Sequence, residues 1–216
     1  MDTVVFRWVN RMAKQTTWAH ALVRGLAVYG IVVFAVLLVV AWWWARNTED
    51  SAIAVAEVAW AAIAPLIGFV VVQVVGSLVD RSRPYDSIAN VLVLVDRTKD
   101  FSFPSDHATA AGAIAGGLWV AARGLGSQRL AIAAIVTALL VGFSRVYVGV
   151  HYPGDVVGGL VLGAIVAGFG APLTGLVLVP IARWAARTPA RRLITSATTQ
   201  PPPSDVGPED HPQSGP

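Results

Sequence analysis

The chain has 216 residues, 55% of them hydrophobic and only 13% charged, with a mean hydropathy of +0.62 and a formal net charge of +3. A soluble domain usually carries roughly 25% charge, so this composition points to a membrane protein. Cysteine is absent, which excludes a disulfide framework, a thiolate metal site and a cysteine nucleophile. No basic stripe with interleaved aromatics is present, which sets nucleic acid aside.

Residues 1–24 read as an N-terminal unit. Arg7, Arg11 and Lys14 share one helical face, and Val5, Trp8, Val9 and Met12 another. That pattern predicts an amphipathic helix lying in the membrane interface. Five apolar stretches follow, at 25–45, 52–79, 108–122, 130–143 and 156–182. A spanning helix needs ~20 apolar residues. The first, second and fifth stretches satisfy this alone. The third is short and rich in Ala and Gly. The fourth is long enough if it runs through Arg145 to about residue 150. These two qualify if their polar ends face a bundle interior, and their small residues suit close packing in lipid. The expected fold is therefore all-α: an integral membrane bundle over 25–182 with five spanning helices and the N-terminal interfacial helix. Glu57 interrupts the second stretch, and either a bundle-facing or a snorkelled position suits it. Trp42, Trp43, Trp44 and Trp184 read as interfacial anchors. Residues 183–216 read as a basic and then Pro-rich tail, disordered after Arg192.

With five spans, the loops 80–104 and 145–154 share one membrane side. The turns 46–51 and 123–129 share the other with the C-terminus. Raw counts of basic residues do not separate the sides. The cluster Arg183, Arg187, Arg191 and Arg192 directly follows a span, and it places the C-terminus in the cytoplasm and the polar loops outside.

Three polar clusters fall on that outer side. They are Asp80-Arg81-Ser82-Arg83-Pro84, Phe103-Pro104-Ser105-Asp106-His107, and the run from Ser144 to Asp155. Ionisable groups at membrane depth are expensive and so are functional candidates. Arg83 and Arg145 offer planar forks suited to phosphate oxygens. Ser105 caps a helix whose N-terminus is itself an anion site. His151 and Asp155, four apart, form a potential nucleophile and orienting partner, and His107 can protonate a leaving oxygen. Taken singly, each cluster also reads as a loop charge, a helix cap or a structural hydrogen bond. Their joint occurrence on one membrane face favours two-step phosphoryl transfer through a phosphohistidine.

These clusters resemble the signature of the type 2 phosphatidic acid phosphatase (PAP2) superfamily: Lys, six residues, Arg-Pro; Pro-Ser-Gly-His; and Ser-Arg, five residues, His, three residues, Asp. The last element matches in full at Ser144, Arg145, His151 and Asp155. The middle one matches at Pro104, Ser105 and His107, with Asp106 in place of Gly. The Pro-Ser-Asp-His variant and the segment Phe6-Arg7-Trp8-Val9-Asn10 resemble the bacterial undecaprenyl-diphosphatase branch, the bacitracin-resistance type. The resemblance covers roughly residues 3–180. It implies a membrane lipid phosphatase without metal or cofactor, with His151 as nucleophile, Asp155 as its partner and His107 as general acid. Arg83, Ser105 and Arg145 would hold phosphate, with Asp106 and Ser144 in the same phosphate-binding set. The position of the family lysine is Gly76, so one phosphate ligand is missing; Arg81, Arg97 and Lys99 are the substitutes in reach along the chain.

The expected reaction is removal of the terminal phosphate from a polyprenyl diphosphate that enters laterally from the bilayer. A phosphatase for phosphatidate, phosphatidylglycerophosphate or another lipid monophosphate is one alternative. A non-catalytic lipid-binding or transport protein with a degenerate site is another. His20 and His211 lie outside the clusters and read as solvated.

Overall fold

The computed structural model describes residues 1–196, and among them every regular element is a helix. Helix α1 (Asp2–Gln15) presents Phe6, Val9, Asn10 and Ala13 inward, at the i, i+3, i+4, i+7 spacing of one helical face. Val4, Val5 and Trp8 point outward with Arg7 and Arg11, so the helix has two apolar faces, one for the protein and one for its surroundings. A 3-10 turn over Thr17–Ala19 leads into α2 (His20–Ala45), which starts five residues before the expected boundary. His20, expected to be solvated, is half-buried. Its Nε2 lies 2.8 Å from the Ala13 carbonyl and ties α1 to α2.

Helix α3 (Ser51–Val79) carries Pro65 inside it and ends where Asp80 turns left-handed at φ 48°. The four-residue α4 (Pro84–Ser87) follows, then a loop to α5 (Asp106–Gly124). Helices α6 (Gln128–Tyr147) and α7 (Pro153–Leu173) come next. A π-helical segment, Thr174–Leu178, joins α7 to α8 (Val179–Ala185). Glu57 is half-buried, with a carboxylate oxygen beside Gly124 at the C-terminal end of α5.

Helix α5 sits at the centre, packed on α3, α6 and α7. Its closest approach is to α7. A side chain at Gly112 would strike the Leu160 carbonyl, and one at Gly163 the Thr109 carbonyl, so backbone meets backbone at this crossing. The outer faces of α2, α3, α6 and α7 expose Val36, Leu66, Phe69, Leu139, Val161 and Phe169. Such a belt needs an apolar surrounding. Four helical stretches are long and apolar enough to cross a membrane: Thr17–Ala45, Ser51–Ser87, Gln128–Tyr147 and Pro153–Ala185. Helix α5 is not among them, because neighbouring helices rather than lipid cover it and its sequence is correspondingly small and mild.

The apolar core divides in two. One part lies between the helices around Phe34, Leu118 and Val141. The other lies under the loops at the opposite end from the α2–α3 turn, around Phe6, Val148, Val150, Tyr152 and Val156. There α1 grips the α4–α5 loop. The Asn10 amide donates to the Leu92 carbonyl at 2.8 Å and accepts the Leu92 N–H at 3.0 Å. Gly149, at φ 86°, lets the chain pass against the Leu92 carbonyl, where a Cβ would collide.

The basic segment 183–196 begins in α8 and continues as a 3-10 turn over Pro189–Leu193, with the Trp42 Nε1–H donating to the Leu193 carbonyl at 2.9 Å. The first part of the expected tail is thus helical and docked. The disorder expected further on falls on 197–216, outside the described residues.

Candidate active site

The three polar clusters meet at the end of the bundle capped by α1 and the α4–α5 loop. Pro84 opens α4 with its fixed φ, which leaves Arg83 extended and its side chain turned into the protein, only 4% exposed. Ser105 caps α5, accepting the Ala108 N–H at 3.4 Å, and its own N–H donates to the Asp155 carbonyl at 3.0 Å. Arg145 lies in the last turn of α6, and His151 just before α7.

His151 is fully buried. Its two ring nitrogens have distinct partners. Nδ1 lies 2.8 Å from the Ser102 carbonyl, which can only accept, so Nδ1 carries the proton. Nε2 lies 3.2 Å from Arg83 Nη1, which can only donate, so Nε2 presents a lone pair. Burial pushes the imidazole pKa below its ordinary value. Arg83 and Arg145 push the same way, and Asp155 and Asp106 oppose them. The ring is therefore held neutral, with its Nε2 lone pair turned toward the Arg83 guanidinium.

Asp155 is not in direct hydrogen bond with His151, as the sequence pattern suggested. Its Oδ2 is 3.8 Å from Nδ1. The carboxylate is fully used elsewhere: Oδ2 accepts the Ser102 hydroxyl at 2.5 Å and the Tyr152 N–H at 2.8 Å, and Oδ1 accepts from Arg81 at 2.7 Å. Ser102 is the intermediary, with its hydroxyl on Asp155 and its carbonyl on His151. Sequence reasoning missed it because its part in holding the ring is played by a backbone carbonyl, which any residue type supplies.

The Arg83 fork is shared. Nη1 also donates to the Val150 carbonyl at 3.1 Å, Nε to the Asp100 carbonyl at 3.2 Å, and Nη2 to Asp100 Oδ1 at 2.9 Å. Asp100 is a second missed residue; in the sequence it is an ordinary loop charge. Burial works against its ionisation, but a hydrogen bond with Thr98 and the Arg83 charge hold its carboxyl below the usual range. Arg145 is 9% exposed. Its Nη1 donates to the Ala27 carbonyl at 3.2 Å, and its buried Nε has no partner among the described residues. Arg83, Asp100 and Asp106 are all near enough to act electrostatically on it.

His107 is half-exposed at the start of α5, with Nδ1 3.0 Å from Asp106 Oδ1. The same oxygen accepts the His107 backbone N–H at 2.8 Å. Asp106 was expected in the phosphate-binding set. A carboxylate has no donor for phosphate and repels it, and here it orients His107 instead. Ser144 was expected there too, but it is fully buried with its hydroxyl donated to the Val141 carbonyl at 2.6 Å on its own helix. Of the possible substitutes for the family lysine, Arg81 is taken by Asp155 and Arg97 stacks 5.2 Å over Tyr85. A side chain at Gly76 would press on the Phe101 ring at 3.3 Å, so aromatic packing takes the space beside that position.

Two apolar cavities of about 220 and 390 Å³ adjoin Asp106 and share Ile31, Phe34, Phe69 and Ala110, forming one groove between α2, α3 and α5. His107 lines the upper one, and Pro65 and Leu38 the lower.

The PAP2 superfamily profile matches residues 54–176. The chain is 32% identical over 164 residues to the bacitracin transport permease protein BcrC of Bacillus licheniformis, covering 76% of each chain. It is 31% identical over 169 residues to undecaprenyl-diphosphatase BcrC of Bacillus subtilis strain 168, covering 78% of this chain and 81% of that one. In fold it is similar to the crystal structure of a PAP2-type phosphatidylglycerolphosphate phosphatase from Bacillus subtilis, at TM-score 0.60 and 21% identity, covering 81% of this chain and 86% of that one.

Proposed function

Because the chain belongs to the PAP2 superfamily and is an integral membrane phosphatase, we propose that it removes the terminal phosphate of a polyprenyl diphosphate, with undecaprenyl diphosphate as the specific substrate. The observation that carries the chemistry is the buried neutral His151, its Nε2 lone pair set against the Arg83 guanidinium. In the first step Nε2 attacks the terminal phosphorus. The N–P bond forms, the bridging P–O bond breaks, and His107 gives its proton to the departing lipid monophosphate. In the second step water attacks the phosphohistidine, His107 takes the water's proton, and inorganic phosphate leaves as the N–P bond breaks. Arg83, the unpaired Nε of Arg145 and the N-terminus of α5 behind Ser105 stabilise the equatorial oxygens. Asp106 Oδ1, 3.0 Å from His107 Nδ1, holds the ring that delivers this proton.

The choice of a long isoprenoid rests on the activity named for the Bacillus subtilis relative and on the apolar groove that begins at His107. In this reading α5 is a fifth span. The basic cluster at 183–192 favours a cytoplasmic C-terminus, and parity then favours a site on the outer face of the membrane.

The test is phosphate release by detergent-purified protein from undecaprenyl diphosphate, farnesyl diphosphate, phosphatidate and phosphatidylglycerophosphate, with His151→Ala as the blank. The polyprenyl diphosphate should be the best substrate by kcat/KM. Preference for either monophosphate would replace the substrate assignment, and activity in His151→Ala would remove the phosphohistidine.

A further inference from the structure

The guanidinium of Arg81 joins three parts of the chain. Nη1 donates to Asp155 Oδ1 at 2.7 Å and Nη2 to Asp2 Oδ2 at 2.6 Å. The cation sits 4.1 Å over the Tyr152 ring. Asp2 Oδ1 accepts the Gly154 N–H at 2.8 Å, and Phe6 packs on Tyr152 with ring centroids 5.5 Å apart. The first turn of α1, the segment before α4 and the first turn of α7 are therefore pinned at one cation. Asp155 is fully buried, whereas the Arg81 and Asp2 side chains are 30% exposed. A buried carboxylate without its counter-ion is strongly disfavoured. Arg81 supplies that counter-ion, and Asp2 fixes the direction from which it comes.

We propose that Arg81 is a positioning residue for phosphoryl transfer: it holds Asp155 in the pose that supports His151 through Ser102, and Asp2 of the N-terminal helix anchors it there. The inference rests on the phosphohistidine reading. The charged groups facing His151 are Asp155 from α7, Arg83 from the segment before α4, Arg145 from α6 and Asp106 from α5. Arg81 acts from behind Asp155 and offsets part of its field. Removing Arg81 leaves more of that field on the imidazole and favours its protonated form.

The experiment is a pH profile of phosphate release from farnesyl and undecaprenyl diphosphate in micelles. It compares wild type with Arg81→Gln, Arg81→Lys, Asp2→Asn, the double variant Asp2→Asn/Arg81→Gln, and His151→Ala. Arg81→Gln should lower kcat by about 10- to 100-fold, the size seen when outer partners of a functional histidine are removed at metal sites. KM should stay within about twofold, because the residue does not touch phosphate. The acid limb of kcat/KM should move to higher pH. Arg81→Lys should recover most of the activity. Asp2→Asn keeps the acceptor for Gly154 and should show a smaller change in the same direction. The double variant should be no worse than Arg81→Gln, since Asp2 acts through Arg81.

A raised KM with kcat and the acid limb unmoved would make Arg81 a direct phosphate ligand and overturn the proposal. Lost kcat with an unmoved limb and no recovery by Lys would reduce it to a folding role and overturn it equally. An active wild type, a silent His151→Ala and an unaltered Arg81→Gln sink the Arg81 role alone. An active His151→Ala sinks the underlying mechanism and the Arg81 role with it.

Discussion

In the proposed mechanism His151 owes its chemistry to partners that differ at each nitrogen. The Ser102 carbonyl fixes the proton on Nδ1, and Arg83, which can only donate, leaves Nε2 unprotonated. With burial lowering its pKa from the ordinary 6.5, the ring stays neutral into mildly acidic solution. The acid limb of kcat/KM should therefore fall below pH 6.5, and a limb above that value would contradict the assigned environment. Stability follows the same proton. The unfolded chain takes it up near 6.5 and the folded chain only at lower pH, so stability should decline as pH falls through that window. The two arginines are not replaceable by lysine, because a point charge cannot reproduce a planar fork. Arg83→Lys and Arg145→Lys should each lower kcat about 10²- to 10³-fold, the cost of one lost donor to a developing oxyanion. Steady-state phosphate release checks both. Arg83, Arg145, His107 and His151 were legible because side chains of those types have few other reasons to gather in so apolar a chain. Ser102 and Asp100 were not. One works through its backbone, and the other meets Arg83 across a loop whose path no spacing rule gives. Ser144 illustrates the reverse error: it belongs to the motif, yet its hydroxyl is spent on its own helix.

At the scale of the helix, α5 and α7 are set by what they lack. Gly112 and Gly163 allow the two backbones to touch, which fixes Ser105 against Asp155 at the top of the crossing. Gly163→Val should cost about 1–3 kcal/mol or more by overpacking, and it should depress activity together with thermal stability measured in detergent. The groove between α2, α3 and α5 makes a separate prediction. Ala110→Trp places a large ring where both cavities meet and should raise KM for undecaprenyl diphosphate while sparing short-chain farnesyl diphosphate. Equal effects on both would mean that the tail lies elsewhere. The apolar stretches fell on helices as their lengths required. Helix α1 was legible as amphipathic but not in its orientation. The sequence pattern put Val5 and Trp8 with Val9 on one face, whereas packing selects Phe6, Val9 and Ala13 and leaves Val5 and Trp8 outside.

For the molecule as a whole, the proposed orientation can be read directly, because the chain contains no cysteine. Asn90→Cys, in the exposed α4–α5 loop, should react with a membrane-impermeant maleimide on intact cells. Thr188→Cys, beyond α8, should react only after permeabilisation. The opposite pattern would invert the site to the cytoplasmic face. On the five-span reading, the mildness of α5 also bears on how the protein is made. A segment that does not partition into lipid by its own hydropathy depends on neighbours to retain it. Two of those neighbours, α6 and α7, are synthesised after it. On that reading α5 should be retained only once they emerge, and the proposed site, built from the start of both α5 and α7, should be completed when the last long helix enters the bilayer.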